Sequence, residues 1–155
     1  MDGQRTLFPQ ALKDEKAISV LYSPHGVSLA AVMLYANTHL VKEEALPVTA
    51  LFHSINVEEN PWFMGGKVAV GYPGGAEMVR ALCAKYWISA HDEVKDNRGW
   101  SVAWIKCKAY TIEEVQEKLG NESKEKGCWL VKDGKKVPLE TQVVSLASGE
   151  SLRIP

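Results

Sequence analysis

The sequence predicts an α/β fold: a mixed β-sheet with helices packed on it in one or two layers, ending in β-hairpins. Two patterns carry this expectation. Apolar runs of strand length alternate with segments whose apolar residues recur at helical spacing, and from Cys128 onward the runs are separated by Asp133-Gly134 and Ser148-Gly149 turns.

Ala17-Ile18-Ser19-Val20-Leu21-Tyr22 is rich in strand formers and bounded by Lys13 to Lys16 and by Ser23-Pro24, so it reads as a buried strand. Ser28 then caps a helix whose Leu29, Val32, Met33 and Ala36 line one face, with Lys42-Glu43-Glu44 at its solvated exit. Pro47 to Phe52 is a second strand-length run, ending at His53-Ser54. Residues Ile55 to Pro73 hold Asn60-Pro61-Trp62 and three glycines, and they read as a long irregular loop with aromatic anchors. In that reading Trp62 and Phe63 seal the core.

Gly74-Gly75 opens a helix through Ala84 with Met78, Val79 and Leu82 on its buried side, and the strand Tyr86 to Ala90 follows directly. Trp100 to Ile105 reads as a strand or as one helical turn. Thr111 and Glu114 form a capping box for a short helix carrying Ile112, Val115 and Leu119, which Gly120 is expected to stop. The remainder reads as two hairpins, the second pairing Gln142–Leu146 with Ser151–Ile154.

Composition bounds the function. With 155 residues, 46% of them hydrophobic, and five Trp, five Tyr and three Phe, the chain reads as one folded domain rather than a disordered segment. A formal net charge of -1 supplies no general attraction to polyanions, which argues against nucleic acid or an anionic membrane as partner. No apolar stretch is long enough to span a bilayer, and Met1 to Arg5 carries an acid and leads into no apolar core of a signal sequence. Cys83, Cys107 and Cys128 are odd in number and have no close pairing, so they read as thiols in a reducing, cytoplasmic compartment, with Cys83 and Cys128 buried and inert.

The chemistry-bearing residues are positional. His25, His53 and His91 each follow a predicted strand, and in open α/β sheets the loops beyond the carboxyl ends of strands are where ligands bind. Three imidazoles with an added water would make an open zinc site, whereas an isolated histidine at a strand end is more often an ordinary polar residue. His39, in the polar end of a helix, is assigned to solvent. The loop His91 to Arg98 brings acids and bases together; Asp92 there either orients a ligating histidine or belongs to a solvated connection. The glycines between Gly65 and Gly75 do not have the spacing of a phosphate loop, and no nucleophile elbow or Cys-x-x-Cys occurs.

One stretch is more specific. Gly74-Gly75-Ala76-Glu77-Met78-Val79-Arg80-Ala81-Leu82-Cys83-Ala84-Lys85-Tyr86-Trp87-Ile88-Ser89-Ala90-His91 resembles the late segment of metallo-β-lactamase-fold hydrolases, in particular the lactonase-like branch and its fungal-type relatives. There a helix leads into a strand that ends in the last metal-binding histidine, and His91 matches that residue. Ile18 to Gly26 resembles the strand and loop that present a bridging aspartate; here the place reads Ser23-Pro24-His25, and His25 is the nearest ligand. His53 has no counterpart. The family's His-x-His-x-Asp-His motif is absent from the chain, so the resemblance covers only the second half of the αββα fold, residues 15–120, with 127–155 as a hairpin tail.

The resemblance implies a protein related to metal-dependent hydrolases, with His91 and His25 as metal ligands, Asp92 behind them, and a small-molecule ester, lactone, amide or phosphodiester as substrate. It also implies an incomplete site. Zinc or another divalent metal is expected to bind this chain weakly or not at all, because a zinc site takes at least three protein ligands. A half of such a fold leaves an apolar sheet face, to be covered by a homo-oligomer or a partner chain. The alternative expectation is a truncated, non-catalytic domain serving as a structural or protein-interaction module.

Overall fold

The computed structural model describes residues 18–92, 99, 102, 104–126, 128–132, 135–138 and 140–154. Its central sheet holds β1 (Val20–Tyr22), β2 (Ala50–His53), β5 (Tyr86–Ser89) and β9 (Gln142–Val144), all parallel and laid side by side in chain order. Between them run α1 (Leu29–Tyr35), α2 (Gly71–Leu82) and α3 (Ile112–Lys126). Right-handed crossovers between strands laid in chain order put successive helices on one face, and α2 accordingly packs against both α1 and α3. The α/β class expected from the alternation is therefore present. Parallel and antiparallel pairing both occur, but in separate sheets.

Alternation along the strands decides which side is buried. Leu51, Trp87 and Val143 face the helices and join Val32, Ala36, Met78, Val79, Leu82, Val115 and Leu119 in one core. On the opposite face Val20 and Tyr22 are 58% and 70% exposed, and Ile18 is exposed beside them. The first strand is thus shorter than expected and open on one side rather than buried. The exposure is confined to this edge, since Ala50 and Ile88 on the same face are buried.

Local signals explain the helices. Ser28 Oγ accepts the Ala31 N–H at 3.3 Å and starts α1, which continues through a π-helical turn at Ala36–Leu40. The capping box of α3 is reciprocal: Thr111 Oγ1 accepts the Glu114 N–H at 3.2 Å, and Glu114 Oε2 accepts the Thr111 N–H at 3.0 Å. Gly120 does not stop that helix, which runs on to Lys126, since an exposed glycine inside a helix costs only about 1 kcal/mol. Helix α2 starts at Gly71, three residues ahead of the expected Gly74, because Pro73 falls in its first turn where no N–H is missed. Its Tyr72 hydroxyl donates to Glu122 Oε1 at 2.7 Å, and Arg80 pairs with the same carboxylate, tying α2 to α3.

Three further expectations are corrected. The segment read as irregular contains β3 (Val57–Glu59), a 3-10 turn at Trp62–Met64 and β4 (Lys67–Ala69); with β6 (Lys106–Lys108) they form the antiparallel sheet β4-β3-β6. Trp62 and Phe63 do not seal a core, being 88% and 65% exposed. At the C-terminus, β7 (Trp129–Lys132) and β8 (Lys135–Pro138) form the first expected hairpin, but β9 pairs in parallel with β5 and residues 151–154 are not a strand. Val143 decides this, because its burial in the main core outweighs anything a solvent-exposed hairpin offers.

The cysteines are also corrected. Cys83 and Cys128, expected as inert thiols, are joined in a disulfide with Cα atoms 5.5 Å apart, and Cys107 is the exposed free cysteine. Cys83 is the C-cap of α2, in the left-handed conformation, rather than part of its apolar stripe. No helix among the described residues is long and apolar enough to cross a membrane.

Candidate functional site

The loops after β1 and β5 leave the carboxyl edge of the parallel sheet carrying His25 and His91, and His53 is the last residue of β2 between them. Backbone bonds hold them together. Ser23 N–H donates to Phe52 O at 2.8 Å, Ser54 N–H to Pro24 O at 3.1 Å and Ala90 N–H to His53 O at 3.3 Å. The consequence is that His25 and His91 meet, their ring centroids 4.4 Å apart and their planes inclined by 69°. Both are exposed. His91 has φ of 68°, a left-handed conformation uncommon outside glycine.

Asp92, the next residue, is anchored by three hydrogen bonds. Its Oδ2 accepts Ile55 N–H at 2.7 Å and Ser89 Oγ–H at 2.6 Å, and its Oδ1 accepts Asn56 N–H at 2.8 Å. These bonds clamp the β2–β3 connection to the end of β5. Asp92 therefore acts on the backbone beside the histidine pair, which is a more specific role than the solvated connection the sequence left open; residues 93–98 of that loop lie outside the described residues. The Ser89-x-x-Asp92 spacing was legible as a local turn signal, whereas the Asn56 and Ile55 partners are 36 and 37 positions away.

His53 behaves differently. It is fully buried, on the helix side of the sheet beside Trp87, with ring centroids 6.0 Å apart. Its Nδ1–H donates to Ser54 O at 2.7 Å, which fixes the tautomer and leaves Nε2 as an acceptor. Neither Nε2 nor the neighbouring Ser54 Oγ has a hydrogen-bond partner among the described residues. Burial holds the His53 pKa below the usual imidazole value, against the opposing pull of the Ser54 carbonyl and of the Asp92 charge. The ring fits because two glycines yield: a Cβ on Gly26 would lie 3.3 Å from Nε2, and one on Gly75 would lie 3.1 Å from Nδ1 and 2.2 Å from the Trp87 ring. His53 is thus a core wedge beneath the loop that carries His25. His39, assigned to solvent, is exposed and packs on Tyr35 at 4.8 Å.

Two exposed imidazoles do not make a metal centre. No group of three or more His, Cys, Asp or Glu among the described residues is placed to hold an ion, and zinc requires three or four protein ligands. The residues described therefore fall short of the site that the family resemblance implies, and no hydrolytic step is assigned to them. Comparisons of the chain with protein-family models, with curated proteins and with solved structures found no match.

Proposed function

We propose that this chain is the second half of a metal-dependent hydrolase of the metallo-β-lactamase type, in which His91 and His25 contribute ligands to a site completed from outside the described residues. The observation that supports this is the 4.4 Å approach of the two rings at the carboxyl edge of a parallel sheet, on a backbone held in a strained conformation at His91. Asp92 anchors the adjoining β2–β3 connection. The metal in this reading is zinc or another divalent cation, and the substrate is a small molecule with a hydrolysable ester, lactone, amide or phosphodiester bond. The remaining ligands come from another segment or from a partner chain seated on the open face at Val20 and Tyr22.

Calorimetric titration of the purified chain with Zn²⁺ or Mn²⁺ tests it. Weak binding is expected, lost in His25→Ala and in His91→Gly; the glycine relieves the backbone strain while removing the imidazole, so the loss cannot be put down to misfolding. Binding that persists in both variants overturns the proposal, as does tight, stoichiometric metal held by the chain alone. The cytoplasmic location in this reading carries its own check. A reducing cytoplasm keeps the Cys83–Cys128 bond open, so alkylation in cells is expected to trap three thiols; trapping one places the protein in an oxidising compartment.

A second reading, a non-catalytic interaction module, is favoured by the exposure of Ile18, Val20 and Tyr22 on one face of the first strand. Absence of any metal binding together with stable self-association would select it.

A further inference from the structure

The sheet β4-β3-β6 ends in an apolar apex that none of the chemistry above uses. Trp62, Phe63 and Met64 form a single 3-10 turn at its tip, and Gly65 and Gly66, with φ of 102° and 68°, bring the chain back. The turn is braced from within. Asn60 N–H donates to Gly66 O at 2.8 Å, Asn60 Nδ2 donates to Met64 O at 3.3 Å, and the Trp62 and Phe63 rings meet edge to face at 5.9 Å. Yet all three apolar side chains project into solvent. A fourth joins them: β6 pairs with β3 through Lys106 opposite Glu59, and two residues further along each chain stand Trp104 and Pro61, Trp104 being 61% exposed.

Behind the apex, one face of the sheet carries an excess of positive charge. Residues paired across strands share a face, so Glu59, Lys67 and Lys106 lie on one side, and Lys108, two residues on, lies there as well. Three exposed lysines thus share this face with one exposed carboxylate; the Lys108 ammonium lies over the Tyr110 ring, 5.0 Å from its centroid, which leaves Lys67 and Lys106 for an outside partner. Trp62 is the most protruding of the apolar side chains, so the apex inserts into a partner rather than receiving one. Indole and phenyl groups favour the boundary between headgroups and acyl chains, and lysines behind them reach anionic headgroups.

We infer that this apex docks on an anionic lipid surface, with Trp62, Phe63 and Met64 at the headgroup boundary and Lys67 and Lys106 over the headgroups. The contact is local. It needs neither a spanning segment nor a positive net charge, the two grounds on which the sequence argued against a membrane partner, and it does not rest on the metal-site reading.

Co-sedimentation with phosphatidylcholine–phosphatidylserine vesicles tests it, with the shift of tryptophan emission to shorter wavelength as a second readout. The chain is expected to bind these vesicles and to bind phosphatidylcholine alone more weakly. The double variant Trp62→Ser with Phe63→Ser should lower the partition coefficient by about tenfold or more, the loss expected when two inserted rings are removed. Lys106→Glu should lower it by about fivefold or more and weaken its dependence on salt. All these side chains are exposed, so unchanged circular dichroism and melting temperature show that folding is intact. Failure of the chain to bind either vesicle overturns the inference, and so does binding that the Trp62/Phe63 variant leaves unchanged. Concentration-dependent self-association abolished by that same variant, without vesicle binding, would identify a second copy as the occupant and equally overturn it.

Discussion

The imidazole of His25 meets that of His91 edge to face at 4.4 Å, although β2 separates the two strands that lead to them. The approach is made by loops, and one carboxylate anchors the connection beside it. Asp92 takes two backbone N–H groups of the β2–β3 connection and the Ser89 hydroxyl, so its removal strands two part-buried donors and frees the loop beside His91. Asp92→Ala is expected to lower unfolding free energy by about 3 kcal/mol, measured by urea denaturation, since bonds to an ionised group are the stronger ones and orphaned donors add their own penalty. The same variant should abolish the mutual ring-current shifts of His25 and His91 in the proton spectrum. Asp92→Asn keeps one acceptor oxygen and should lose less.

Helix α2 packs tightly on the sheet at Gly75, where a Cβ would lie 2.2 Å and 2.5 Å from two atoms of the Trp87 ring. Both Gly75 and Trp87 are buried and Trp87 is in the core, so neither has room to give. Gly75→Ala is therefore expected to destabilise by about 3 kcal/mol despite its better helix propensity, which favours alanine by about 1 kcal/mol. Thermal denaturation of this variant beside Gly120→Ala separates the two effects. Gly120 has open space where its Cβ would go, and its replacement should stabilise.

His53 ties stability to pH. Its folded pKa lies below the unfolded value of 6.5 because burial disfavours the imidazolium, so the unfolded chain binds the proton more readily. The contribution of neutral His53 is complete above pH 6.5 and is lost as pH falls from there through the lowered folded value. Asp92, whose charge favours the imidazolium, moderates the effect without reversing it. Urea midpoints measured across this window should fall on acidification, and His53→Asn, which cannot titrate, should flatten the slope. An unchanged slope in that variant would assign the pH dependence to other groups.

How much of this was legible follows from whether the determinant was local. Ser28 and the Thr111–Glu114 capping box could be read because a cap binds within three residues, and all three bonds are present. The strand-end positions of His25 and His91 were legible for the same reason, and loops beyond strand ends of an open α/β sheet are where such residues can converge. The partner of β9 was not, because Val143 is placed by burial against α3 and β5 rather than by its own turn. Nor was the β3–β4 hairpin, since three-residue strands around Asn60-Pro61 give no alternation to detect. His53 looked like its two neighbours in the sequence; only the glycines at 26 and 75, far apart in the chain, mark it as a core residue.

The Cys83–Cys128 disulfide was the least legible feature, and it gives the clearest test of the fold's connectivity. Its residues are 45 positions apart, and the ring they close contains β5, His91, β6 and α3. Closing a ring of that size removes unfolded-state entropy equivalent to about 4 kcal/mol, as far as the chain-entropy model holds. Reduction is accordingly expected to lower the urea midpoint by a large fraction of a small domain's stability, with His91 and Asp92 on the released segment. The double variant Cys83→Ser with Cys128→Ser should match the reduced protein and be insensitive to reductant. Cys107→Ser, at the exposed free thiol, should behave as the parent in both conditions. Parent and double variant that unfold alike under oxidising conditions would show that the bond does not form.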